Sequence, residues 1–91
     1  MIRKLSLKEL PEYLKKGAIL IDVRSIEEYR QGHLNGAINI PQERILESTK
    51  QYPKETTLIL YCSTGSRSRL AANLLVSMGY SNIYDMGKVS L

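Results

Sequence analysis

The sequence contains no tryptophan and no phenylalanine, and its six tyrosines are dispersed. It therefore lacks the interleaved aromatics on which nucleic-acid bases stack. Its net charge of +4 comes from Lys and Arg residues scattered from Arg3 to Lys88 without any long basic run. That pattern describes a basic surface with a mild pull on small anions, not a nucleic-acid binder. Only one cysteine, Cys62, and one histidine, His33, are present. An internal disulfide is excluded, and two such residues far apart make no set of metal ligands. A lone exposed thiol suits a reducing compartment. Apolar runs are a few residues long, far short of the roughly 20 that span a bilayer. Met1 to Ser6 lacks the apolar core and cleavage site of a secretory signal. These absences predict a cytoplasmic protein with no membrane and no nucleic-acid partner.

What remains is ordinary for a soluble globular chain: 91 residues, 43% apolar and 24% charged. That length suits one small domain, residues 1–91, with just enough chain to bury a single core. No repeat, low-complexity tract or linker interrupts it. Ser6-Leu7-Lys8-Glu9 has the form of a capping box, and a helix is expected from Pro11 to Lys16, closed by Gly17. Leu7, Leu10 and Leu14 mark its apolar face. Ala18 to Ile21 is a continuously apolar segment of the kind found in a strand covered on both faces. A second capping box, Ser25-Ile26-Glu27-Glu28, opens a short helix that stops at Gly32. His33 to Pro41 reads as a turn and a brief strand, and Gln42 to Gln51 as a polar helix with Ile45 and Leu46 inward. Thr57 to Tyr61 is the next strand. From Arg67 to Met78, Ala71, Leu74, Leu75 and Met78 fall at helical spacing and define an amphipathic helix. Asn82 to Asp85 is a last expected strand. Short apolar strands alternating with helices predict an α/β fold: a small, mostly parallel sheet with helices on both faces. Ligands of such sheets sit beyond the carboxyl ends of the strands.

Cys62 lies at that end, at the start of the stretch Cys62-Ser63-Thr64-Gly65-Ser66-Arg67-Ser68. If Arg67 opens a helix, the backbone N–H groups of the turn and the positive end of the helix dipole converge on the sulfur. Such a setting lowers a thiol's pKa from its usual value of about 8.5 and yields a nucleophile at neutral pH. Gly65 would supply a backbone angle closed to other residues, allowing the amides to converge.

The loop has the C-x-x-G-x-R form and resembles the active loop of the rhodanese sulfurtransferases. Two further blocks stand in the family's order. Asp22-Val23-Arg24, followed by Glu28-Tyr29 and Gly32-His33, is similar to its strand-end block. His33-Leu34-Asn35-Gly36-Ala37-Ile38-Asn39-Ile40-Pro41 is similar to its G-H-[IL]-x-G-A-x-N-[IL]-P block. One departure is evident: where family members commonly carry a Gly-Gly pair and then a Trp, this chain has Met86-Gly87-Lys88 and no Trp.

The resemblance implies a three-layer rhodanese-like fold and transfer of a sulfane sulfur through a persulfide on Cys62. The donor would be thiosulfate or another small anionic sulfur donor, and the acceptor cyanide or a thiol. Ser63, Thr64, Gly65, Ser66 and Arg67 would bind the substrate. No cofactor and no metal are implied, a protein thiol is a further donor or acceptor, and the chain is expected to be a monomer. Two alternatives stay open. A phosphatase or arsenate reductase is disfavoured by a loop one residue too short and by Tyr61 standing where a His would precede the cysteine. A relay module would accept sulfur from a protein partner. Asp22, Arg24 and Glu28 are expected to form a charge network holding the strand end. His33 is read as structural.

Overall fold

The structure is a computed structural model that describes residues 1–91. Its elements are β1 (Ile2–Lys4), α1 (Leu10–Lys15), β2 (Ile19–Asp22), α2 (Ile26–Arg30), β3 (Ile38–Asn39), a 3-10 turn (Gln42–Arg44) running into α3 (Ile45–Ser48), β4 (Thr57–Cys62), α4 (Ser66–Ser77) and β5 (Asn82–Lys88). The strands form one five-stranded sheet in the order β1-β5-β4-β2-β3, and every pairing is parallel. All carboxyl ends therefore point the same way, and β4, in the middle, delivers Cys62 to that edge.

The period-2 alternation of β4 sorts its side chains between two cores. Leu58, Leu60 and Cys62 face one layer, with Ile45 of α3 and Ala71, Ala72 and Leu75 of α4. Ile59 and Tyr61 face the other, with Leu10, Tyr13 and Leu14 of α1 and Tyr29 of α2. A strand covered on both faces has no polar side, which is why Leu58 to Cys62 reads as an unbroken apolar run. Leu58, Ile59 and Leu60 have no exposed surface, and burying each contributes about 1.5–3 kcal/mol before entropy is counted. The strand that carries the loop is thus the most firmly anchored part of the chain.

Five expectations change. The first capping box is half formed: Glu9 Oε1 accepts from Ser6 N–H at 2.9 Å, but the Ser6 hydroxyl caps nothing, and Leu7 is exposed. The helix expected over 42–51 is a 3-10 turn followed by a single α-turn, with Ile45 buried and Leu46 turned outward. The buried face of α4 is Ser68, Ala71, Ala72 and Leu75. It lies one turn nearer the N-terminus than expected, and Met78 is exposed. The N-terminal residues Ile2–Lys4 add an edge strand that three residues are too few to announce. Last, β5 runs on to Lys88, past the expected end at Asp85. A bulge at Met86 lets it do so: Leu60 is opposite Asp85 but Tyr61 is opposite Gly87. Asp85 Oδ1 accepts the Gly87 N–H at 2.8 Å, and Gly87 takes a left-handed φ of 68°, so the kink has its own local support.

Candidate active site

Because Cys62 ends β4 on the α4 side, its sulfur lies beneath the first turn of that helix. Sγ accepts the Gly65 N–H at 3.0 Å and the Ser68 N–H at 3.4 Å. The Ser68 hydroxyl is 3.5 Å from the sulfur and 3.2 Å from the Gly65 carbonyl oxygen. A hydroxyl is both donor and acceptor, so this one serves both states of the thiol. It accepts from S–H while donating to Gly65, or turns its proton toward a thiolate. Burial by itself pushes the Cys62 thiol up, but the Ser68 hydroxyl and the N–H groups of Ser68, Thr64 and Gly65 outweigh it. The net result lies below the ordinary thiol value.

Gly65 caps α4 with φ 96° and ψ −20°. A Cβ there would meet only Lys88 N at 3.8 Å, an ordinary contact. The requirement for glycine is conformational, not spatial. With Gly65 as the cap, α4 begins at Ser66, one residue earlier than expected.

The other loop residues divide. Arg67 makes no hydrogen bond to the sulfur and grips Glu28, with Nη1 to Oε1 at 2.7 Å and Nη2 to Oε2 at 3.1 Å. Its Nη2 also donates to Ser63 Oγ at 3.0 Å. The Arg67 guanidinium and the Ser25 N–H hold the Glu28 carboxyl down at about 2. Ser25 and Glu28 complete the second capping box, so the same carboxylate closes α2 and ties down the loop. Thr64 and Ser66 are exposed, and their hydroxyls pair with each other at 3.0 Å. Ser68 is the side chain against the sulfur that sequence reasoning passed over. A serine in line with Ala71, Ala72 and Leu75 on a buried face, next to a cysteine loop, was the available signal.

The expected single charge network is two. Fully buried Asp22 accepts from Arg24 N–H at 2.9 Å, Nε at 3.0 Å and Nη2 at 2.7 Å, and from the Tyr61 hydroxyl at 2.8 Å. Arg24 Nη2 also donates to Gly32 O at 2.7 Å, and the Tyr61 oxygen accepts the Leu34 N–H at 3.0 Å. This cluster lies on the α1 side and knits β2, β4 and the 32–34 turn together without touching the sulfur. Burial, followed by the Asp22 carboxylate, pushes the Tyr61 phenol up to about 12. Glu28 belongs instead to the loop. His33 stacks on Tyr29 at 3.7 Å, with Nδ1 2.8 Å from the Tyr29 carbonyl oxygen, and is exposed.

The thiol is not the exposed one that the composition suggested: Cys62 has no accessible surface. The loop over it and α4 behind it cover the sulfur. Beyond Gly87 the chain closes the site, with Lys88 opposite Cys62 in the sheet and the Val89 N–H bonded to Cys62 O at 2.9 Å.

A family model described as "Rhodanese-like domain" matches residues 6–87. The chain is 41% identical over 69 residues to thiosulfate sulfurtransferase PspE of Escherichia coli, an alignment covering 74% of this chain and 66% of that protein. It is 33% identical over 81 residues to a putative mitochondrial thiosulfate sulfurtransferase of Schizosaccharomyces pombe, covering 75% of this chain and 57% of that one. The chain thus spans two thirds or less of the length of both. Its fold is similar to that of the human single-domain sulfurtransferase TSTD1, with a TM-score of 0.83 at 30% identity over 96% of this chain and 90% of that one.

Proposed function

We propose that this chain, which belongs to the rhodanese-like domain family, is a single-domain sulfurtransferase that carries a sulfane sulfur as a persulfide on Cys62. The observation that carries this reading is the bed of donors around Sγ: two N–H groups and the Ser68 hydroxyl, all aimed at the sulfur from the first turn of α4. Such a bed favours the thiolate, and it goes on neutralising negative charge when that charge moves to a second sulfur.

In the first half-reaction the Cys62 thiolate attacks the outer sulfur of thiosulfate. An S–S bond forms at Sγ, the outer sulfur's bond to the sulfonate breaks, and its electron pair leaves with sulfite. In the second, an acceptor such as cyanide or a thiolate attacks the terminal sulfur and the pair returns to Sγ, regenerating the thiolate. Two half-reactions sharing one covalent intermediate give ping-pong kinetics. The backbone of Ser63, Thr64, Gly65 and Ser66 would bind the donor. Arg67, committed to Glu28, would act as a positioning residue that fixes the loop's shape. Because the sulfur has no exposed surface, the donor would enter through the loop mouth. A reducing, cytoplasmic setting would keep the Cys62 thiol in the reduced form that the first half-reaction needs.

Intact-protein mass spectrometry after incubation with thiosulfate tests the scheme. The wild type should gain one sulfur atom that cyanide removes, and folded Cys62→Ser should gain none. A gain that persists in Cys62→Ser, or no gain in the folded wild type, would sink it.

A further inference from the structure

Beside the loop runs a groove of about 220 Å³ lined by Lys4, Leu5, Gly65, Arg69, Asp85, Met86 and Gly87. It shares Gly65 with the sulfur site, and the Gly65 N–H is bonded to Sγ. One wall of the groove is therefore the loop that holds the nucleophile. Two cations face it. Lys4 extends from the edge strand β1 and enters no salt bridge. Arg69 is 58% exposed and meets Asp85 only loosely, Nε to Oδ2 at 3.8 Å. Asp85 is spoken for by the Gly87 N–H. One carboxylate against two cations leaves the groove net positive, and the terminal nitrogens of Arg69 make no hydrogen bond within the chain.

We propose, building on the persulfide reading above, that this groove is the acceptor subsite and takes a small thiol that carries a carboxylate. The carboxylate would lie between Lys4 and Arg69 while the thiolate reaches over Gly65 to the terminal sulfur of the persulfide. A new S–S bond then forms to the acceptor sulfur, the Sγ–S bond breaks, and its electron pair returns to Sγ. The groove lies below the roughly 300–1,000 Å³ of pockets for drug-sized ligands, which fits an amino-acid-sized or short-peptide thiol. The guanidinium fork of Arg69 suits a carboxylate, whereas cyanide and uncharged thiols would find no use for it.

The protein is first loaded with thiosulfate and the gain of one sulfur is confirmed by mass, so that failure of the persulfide reading is seen before any acceptor is added. Off-loading is then followed with 3-mercaptopropionate and with 2-mercaptoethanol, compared at equal thiolate concentration. The wild type should show a lower KM for the carboxylated thiol. In Lys4→Ala/Arg69→Ala that KM should rise about three- to tenfold, the scale of two exposed ion pairs, while the KM for 2-mercaptoethanol stays unchanged. Arg69→Lys should keep most of the preference. A wild type that does not distinguish the two thiols, or a double variant that raises both KM values alike, would overturn the assignment.

Discussion

Removing one oxygen atom, in Ser68→Ala, isolates what the side-chain donor contributes to the nucleophile. Ser68 has no exposed surface and sits among Ala71, Ala72 and Leu75, so a methyl group fits the space and the fold should survive. The variant loses the hydroxyl 3.5 Å from Sγ and the 3.2 Å bond to Gly65 O, but keeps both N–H donors to the sulfur. A hydrogen bond to an ionised group contributes about 1.5–3 kcal/mol. At 3.5 Å the lower end applies, and about 1.4 kcal/mol is a factor of ten. Below the thiol's pKa the reactive fraction should therefore fall about tenfold. The assay is the second-order rate of Cys62 alkylation by iodoacetamide from pH 5 to 10, with wild type and variant shown to be equally folded. In the variant the inflection should move to higher pH, with a rate about tenfold lower on the acid side. The two curves should meet on the alkaline side, where both thiols are ionised. Equal burial of the sulfur in the two proteins removes access as a difference between them. Superimposable profiles would refute the reasoning and leave the N–H groups alone as the source of the lowered pKa.

Glu28→Gln tests the loop tie. The folded-state pKa of Glu28, about 2, lies below its ordinary 4.5, so the carboxylate's contribution is complete above about pH 4.5 and is lost as pH falls toward 2. Urea midpoints of wild type and variant should differ by a constant amount at neutral pH and converge in acid. The difference should be under about 1 kcal/mol, because the pair is half-exposed, and a gap that widens on acidification would contradict the sign. Tyr61→Phe removes the hydroxyl shared by Asp22 and the Leu34 N–H, and should cost about 1–2 kcal/mol for polar groups left unpaired. Since Tyr61 faces the layer opposite Cys62, iodoacetamide reactivity should stay at the wild-type level; a fall in both stability and reactivity would place Tyr61 in the site after all.

The loop was legible in the sequence because its parts are local. An apolar strand, a cysteine, a glycine at the cap and a helix behind it follow one another within about a dozen residues, and each has its own signal. The buried face of α4 was harder, because two registers fit the same spacing. Leu74 and Met78 carry more apolar surface than Ser68 and Ala72, yet the first turn of α4 lies close over β4. Small side chains permit that approach, so distance to the sheet decided the register and hydropathy did not. β1 and the end of β5 escaped for another reason. Three residues carry no period, and the bulge at Met86 breaks the alternation where Gly87 would ordinarily mark a stop.

Glu28 shows how a residue with a sufficient local explanation can hide a distant one. The capping box accounts for it completely within α2, and nothing in the local sequence points to Arg67, 39 residues on. The consequence bears on chemistry. An arginine in a C-x-x-G-x-R loop reads as charge offered to an anionic substrate, but here that charge is spent on Glu28. The attraction that remains at the mouth comes from N–H groups and the helix end, which together amount to roughly half a unit charge. A bed of that strength suits the single charge that a thiolate or persulfide carries on its sulfur. Lys4 and Arg69 line the flanking groove, which shares Gly65 with the sulfur site. On the proposal above, selection among acceptors by charge falls to that groove, while the loop holds the sulfur and binds the donor.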